Sequence, residues 1–350
     1  MRIYDVLREA IIKNASDILL IAGLPVSYKI NGGITRVGER LLPAELSELV
    51  AQTYELAQRD ISTLQITGDD DFSFGLRELA RFRVNALRQR GTLGLVIRAV
   101  PFTLPAPEFL NIPEQVMEFA GFTHGMVLIT GAAGSGKTTT LACLVDRINS
   151  TRNAHVVTIE DPIEYLHPHK MGVVTQRELS LDTKDYQTAL RAALREVPDV
   201  ILVGEMRDTE TIRAAVTAAE TGHLVISTLH TTGAANTIDR IIDSFDARQQ
   251  QQIRTQLSQA LVGVVSQKLV ISKEEKLLPV FEIMTMTNAA RNMIRESKAH
   301  QLDNLIATSS AAGMISMDQS LLRLAKEGLI TEEEAFHHAS DGDWMKKKLQ

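Results

Sequence analysis

Gly131-Ala-Ala-Gly-Ser-Gly-Lys-Thr138 carries the residue types and spacing of a phosphate-binding loop. The apolar run Met126–Thr130 precedes it and the helix-forming Thr139–Val145 follows without a gap, which is the strand, turn and helix context a Walker A loop requires. Gly131, Gly134 and Gly136 let the backbone take left-handed angles and turn successive N–H groups inward, a nest for phosphate oxygens at a helix N-terminus. Lys137 is placed for the β and γ phosphates of a nucleotide and the Thr138 hydroxyl for Mg2+, with Ser135 and Thr139 in the same nucleotide-binding set.

Three later apolar runs end in polar residues, where a terminal phosphate would lie. Ile159-Glu-Asp-Pro-Ile-Glu164 offers carboxylates able to position Mg2+ or an attacking water; such a cluster is also what a solvated strand end looks like. Pro198-Asp-Val-Ile-Leu-Val-Gly-Glu205 reads as a Walker B strand. Its acid is glutamate rather than the commoner aspartate, so direct and water-mediated contact with the metal both stand. His223 and His230 bracket the run Leu224–Leu229, and His230, at its end, could donate a hydrogen bond to a γ phosphate. His167 and His169 form a two-ligand pair without a third partner, a poor metal site, and are expected on the surface. Arg77, Arg81, Arg83, Arg88, Arg90 and Arg98 crowd one hairpin, where strand alternation puts Arg81 and Arg83 on the face opposite Phe82 and Val84. Such a cationic face protects an edge from pairing or supplies transition-state charge, in cis or to a neighbouring subunit.

The elements that must hold these residues fall into two groups. Ile3, Val6, Leu7, Ala10 and Ile11 have helical spacing; Ser16–Ile21 reads as a strand, and Pro25–Ile30, the turn Asn31–Gly33 and Ile34–Val37 as a hairpin. A helix after Pro43 and strands at Phe72–Leu76, Ala80–Leu87 and Leu93–Val100 complete a small α+β domain over residues 1–100 with an antiparallel sheet. Pro101, Pro105, Pro107 and Pro113 stiffen a linker over 101–113. From 114 to 350, strands at Val127–Thr130, His155–Glu160, Val200–Gly204 and Leu224–Thr228 alternate with helices, which predicts a mainly parallel α/β sheet with ligands at the carboxyl ends of its strands. A helical tail is expected from about Gln249, with stripes at Leu257, Leu261, Val264 and Val265.

At 350 residues with 44% hydrophobic content, the chain is long enough for about two packed domains. A net charge of −6 argues against a general nucleic-acid surface. The single cysteine, Cys143, excludes an intrachain disulfide and makes a reducing compartment the expected setting. With no apolar run of membrane-spanning length and no signal-peptide core at Met1–Val6, the cytoplasm is expected.

Together, the Walker A loop, the acidic box Ile159–Tyr165, the Walker B Gly204-Glu-Met-Arg-Asp208, the histidine box Ile226–Thr231 and Thr237-Ile-Asp-Arg-Ile-Ile-Asp243 resemble the PilT family of type IV pilus retraction ATPases, within the secretion ATPase superfamily. Ala289-Ala-Arg-Asn-Met-Ile-Arg-Glu296 is similar to the A-I-R-N-L-I-R-E segment of retraction motors, with Ala290 and Met293 as departures; Ala290, Met293 and Ile294 would form an apolar stripe and Arg291, Arg295 and Lys298 a basic one. The resemblance implies a PAS-like N-terminal domain and a RecA-like ATPase domain in a ring of six, with ATP and Mg2+ at the interfaces. It implies Glu164 as the water-activating acid, Glu205 as the Walker B acid near Mg2+, His223 and His230 as sensors of the γ phosphate, and Arg83 and Arg98 as phosphate-reaching arginines. The implied partners are the inner-membrane pilus platform protein, pilin indirectly, and a second retraction ATPase; the implied place is the cytoplasmic side of that membrane at the pilus base.

Rival readings separate on simple features. Assembly and secretion ATPases of the superfamily typically carry a four-cysteine zinc module, which a chain with Cys143 alone cannot build. A regulatory protein that reads ATP without hydrolysing it could dispense with Glu164. A DNA translocase is disfavoured by the acidic balance.

Overall fold

The computed structural model describes residues 2–30, 33–76, 79–100 and 104–350. It divides into two units, Met1–Thr103 with Glu164–Leu166 and Leu104–Ile163 with His167–Gln350.

In the first unit the elements run α1 (Ile3–Ile12), β1 (Asp17–Ile21), β2 (Val26–Ile30), β3 (Gly33–Val37), α2 (Pro43–Leu56), α3 (Ser62–Thr67), β4 (Asp69–Leu76), β5 (Ala80–Gln89) and β6 (Thr92–Val100). The strands form one sheet in the order β3-β2-β1-β6-β5-β4, every pairing antiparallel. Two residues with positive φ, Arg90 and Gly91, join β5 to β6, matching the twist of a tight hairpin. Along β5, Phe82, Val84 and Ala86 are buried while Arg83 is exposed, so the alternation read from sequence holds. Pro43 opens α2, where its missing N–H costs nothing, and the Glu45 side chain accepts the Leu42 N–H at 2.8 Å. The buried stripes of α1 and α2, Ile3, Val6 and Leu7 with Leu46, Leu49 and Val50, complete the core with the sheet's apolar face. The short helix α3 carries too few periodic residues to be read from sequence. Asn31 and Gly32 of the expected turn, Arg77 and Pro101 lie outside the described residues.

The second unit contains α4 (Glu114–Met117), β7 (Gly125–Thr130), α5 (Lys137–Thr151), β8 (His155–Glu160), β9 (Val173–Glu178), α6 (Tyr186–Ala193), β10 (Val200–Val203), α7 (Thr209–Glu220), β11 (Leu224–Leu229), α8 (Ala234–Asp243), α9 (Ala247–Ala260), β12 (Leu261–Ile271), β13 (Leu277–Thr285), α10 (Asn288–Arg295), α11 (Leu302–Thr308), α12 (Met317–Lys326), α13 (Glu332–His338) and α14 (Gly342–Leu349). Its sheet runs β13-β12-β7-β11-β10-β8-β9, parallel except for β13. Helices cover both faces: Met126 and Leu128 of β7 enter one core and Val127 and Ile129 the other. Every residue of β7, β10 and β11 is buried. Each large apolar side chain there contributes roughly 1.5–3 kcal/mol. From the proline-rich stretch, Leu104, Leu110 and Ile112 pack into the second of these cores.

Two readings are corrected. Leu261, Val264 and Val265 lie on strand β12, not on a helical tail; the strand is buried on both sides, so its apolar run lacks the alternation that would mark it. On α10, Ala290 and Ile294 are buried as expected, but the basic stripe does not form. Arg291 Nη1 donates to the Ser258 and Gln259 carbonyls at 2.6 and 2.9 Å, capping the end of α9, while Lys298 lies beyond the helix and pairs with Glu296. No helix among the described residues is long and apolar enough to cross a membrane.

Candidate active site

The phosphate loop leaves β7 with Gly131 at φ +145° and enters α5 through Gly136 at φ +86°. A Cβ on Gly131 would stand 2.2 Å from the Gln267 carbonyl oxygen and one on Gly136 2.8 Å from Gln267 Nε2, so only glycine lets the loop lie against β12. Gln267 is itself buried and accepts a 2.8 Å hydrogen bond from Thr140 Oγ1, which ties the first turn of α5 to the neighbouring strand. Sequence reading missed Gln267, because its strand was taken for helix and its partners lie far off in the chain. Helix α5 has no side-chain cap and no acidic residue in its first turn, leaving its positive end to an anion.

Lys137 Nζ donates to the Gly131 and Ala132 carbonyls, each at 2.8 Å, and so arches back over the loop. Burial lowers its pKa, with the charge of Glu205 opposing. Ser135 Oγ is buried beside Gly131 and has no hydrogen-bond partner among the described residues, an orphaned polar group within the loop. The residues therefore fit a nucleotide's phosphates.

Glu205 follows β10 and His230 follows β11, adjacent parallel strands, which brings the two to the same edge of the sheet. His230 Nε2 lies 3.2 Å from Glu205 Oε2, and Arg207 pairs with the other carboxylate oxygen. Burial pushes the Glu205 carboxyl up, but the hydrogen bonds and charges of Arg207 and His230 outweigh it and hold the group below its ordinary range. These side chains border a cavity of about 350 Å³ that Arg240 of α8 also reaches. No cluster of three or more histidine, cysteine or acidic side chains fit for a metal occurs among the described residues. Thr138, in the first turn of α5, and Glu205 carry oxygen donors of the kind Mg2+ takes.

His223 lies at the opposite end of β11 from His230. It sits before β11, beside Gly125 at the start of β7, with Nδ1 3.0 Å from the Ala218 carbonyl. The six residues of β11 separate it from His230 by roughly 20 Å, so it does not reach a phosphate held in its own subunit's loop. His167 is half-buried rather than on the surface, and burial lowers its pKa to about 4. Cys143 is buried behind the loop and its thiol is pushed up to about 12, well out of the reactive range. Glu164 is exposed and belongs to the first unit, as do Arg83 and Arg98. Arg83 and Arg98 are register partners on β5 and β6, and Arg98 Nε donates to Asp17 at 2.9 Å.

A phosphate loop after the first strand of the parallel sheet, an acid after β10 and a histidine after β11, in a strand order of this kind, define a RecA-like P-loop ATPase. The chain belongs to the type II/IV secretion system protein family, whose model matches residues 2–301, and within it to the PilT family. It is 44% identical over 336 residues to the type IV pilus retraction ATPase PilT of Pseudomonas aeruginosa, covering 96% of this chain and 97% of that one. It is 43% identical over 345 residues to a twitching motility protein of Neisseria gonorrhoeae, covering 98% and 92%. A crystal structure of the pilus retraction motor PilT with bound ADP superposes with a TM-score of 0.91 at 42% identity, covering 99% of each chain.

Proposed function

We propose that this chain is the ATP-hydrolysing subunit of a motor that withdraws type IV pili. It works as a ring of six on the cytoplasmic side of the inner membrane, against the pilus platform protein, and does not act on nucleic acid. The observation that carries this is the meeting of Lys137, Glu205 and His230 at one edge of the sheet, in a chain that matches a retraction ATPase over nearly the full length of both.

ATP is the substrate. The backbone of Gly131, Gly134 and Gly136 with Ser135, Lys137, Thr138 and Thr139 holds its phosphates. Glu164 orients a water for attack on the γ phosphorus while the bond to ADP breaks, and His230 donates to the terminal phosphate. Arg83 and Arg98 bring positive charge to the same phosphates. Thr138 and Glu205, directly or through water, would hold Mg2+, which would supply positive charge against the phosphates. Hydrolysis then changes the shape of the subunit, and the ring passes that motion to the fibre base.

Phosphate release by the wild type and by Glu164→Gln tests the chemistry, with a loss of about 10²-fold or more in kcat expected. Equal rates would leave a protein that binds nucleotide without this catalysis. Cells lacking the chain should bear pili that extend and never withdraw; normal withdrawal would overturn the motor reading.

A further inference from the structure

The turn that follows His230 is held from outside its own strand. Gly233 N donates to Ser266 Oγ and Ala234 N to Glu282 Oε1, both at 2.9 Å. Ser266 on β12 and Glu282 on β13 are register partners, and Ser266 is paired in turn with Thr130, the residue before the phosphate loop. One row across the sheet therefore runs Leu229, Thr130, Ser266, Glu282, directly beneath both the phosphate loop and the histidine turn. Within the turn, Thr237 Oγ1 bonds the Gly233 carbonyl at 2.7 Å and meets Thr231 Oγ1 at 2.8 Å, so residues 231–234 have little freedom once those two amides are gripped. The Met317 amide at the start of α12 is directed at the same Glu282 carboxyl group, whose pKa burial raises. A half-buried acid is costly in a sheet, and here it accepts from the Ala234 amide of the turn.

We propose that Ser266 and Glu282 are positioning residues of the ATPase: they fix the Gly233–Ala234 turn and through it set His230 against the terminal phosphate. This rests on the reading of His230 as the group that contacts that phosphate. Neither residue touches substrate. Both act on the rate through the histidine.

The test is steady-state phosphate release by the full chain carrying Ser266→Ala, Glu282→Ala, Glu282→Gln, His230→Ala and the His230→Ala/Glu282→Ala pair, with melting curves alongside. Loss of one gripping hydrogen bond is expected to lower kcat about 5- to 30-fold in Ser266→Ala and Glu282→Ala, with KM for ATP within about twofold. Glu282→Gln keeps an oxygen for Ala234 N and should recover to within about threefold of wild type. The double variant should be no slower than His230→Ala alone, because both losses run through one group. If Glu282→Ala does not fold, Ser266→Ala and Glu282→Gln carry the comparison. A slow His230→Ala beside Ser266→Ala and Glu282 variants of normal kcat overturns this inference and leaves the histidine reading intact, as does a double variant whose losses multiply. A His230→Ala of wild-type rate overturns the histidine reading itself, and this inference with it.

Discussion

His230 Nε2 and Glu205 Oε2 stand 3.2 Å apart, each just past the carboxyl end of its strand, with Arg207 on the other carboxylate oxygen. Burial raises the pKa of this acid, and the two donors outweigh it and favour the charged form. Glu205→Gln keeps the shape and one acceptor but removes the charge. The expected result is a loss of about 10²-fold in kcat with ADP affinity within about threefold, read from phosphate release and fluorescent-nucleotide anisotropy. Unchanged kcat across a Mg2+ titration would remove Glu205 from the mechanism.

Gly131 and Gly134 both have positive φ, but their surroundings differ. An added Cβ at Gly131 meets the Gln267 carbonyl at 2.2 Å, whereas nothing lies within 4 Å of one at Gly134. Gly131→Ala should lower the melting temperature and abolish measurable nucleotide binding; Gly134→Ala should cost only the backbone strain, roughly 1–2 kcal/mol. Equal effects of the two would show that contact with β12 does not shape the loop.

The Asp17–Arg98 pair has an arginine side chain that is 64% exposed, so it contributes little to stability, on the order of 1 kcal/mol or less. Arg83→Ala and Arg98→Ala should accordingly leave the melting temperature nearly unchanged. If these arginines supply charge to the transferring phosphate, each should lower kcat at least about 10-fold. Normal turnover in both variants would return the basic hairpin to the role of a solvated edge.

His167 is neutral in the folded chain down to about pH 4, against an ordinary value of 6.5. Between those values the unfolded chain binds the extra proton. Stability from this group is therefore complete above 6.5 and lost as pH falls toward 4, by up to roughly 3 kcal/mol. Melting curves from pH 7.5 to 4 should fall less steeply for His167→Gln than for wild type. Parallel curves would show that His167 titrates alike in both states.

What could be read from the chain alone was what neighbouring residues settle among themselves. The strand, glycine turn and helix from Met126 to Val145 are contiguous, and their torsional and hydrogen-bonding demands are met locally, so the phosphate loop and its ligand class were legible. Alternation along Ala80–Gln89 likewise placed Arg83 opposite Phe82 without any knowledge of the sheet. Burial on two faces erased the corresponding signal in Leu261–Ile271, where Leu261, Val264 and Val265 happen to match a helical period. With β12 and β13 unread, Ser266, Gln267 and Glu282 had no visible route to the site, since sheet register alone brings them under residues more than thirty positions away. His223 and His230 are equally near in the chain, yet a strand extends by about 3.3 Å per residue, and only its direction in the sheet decided which one faces the phosphate loop.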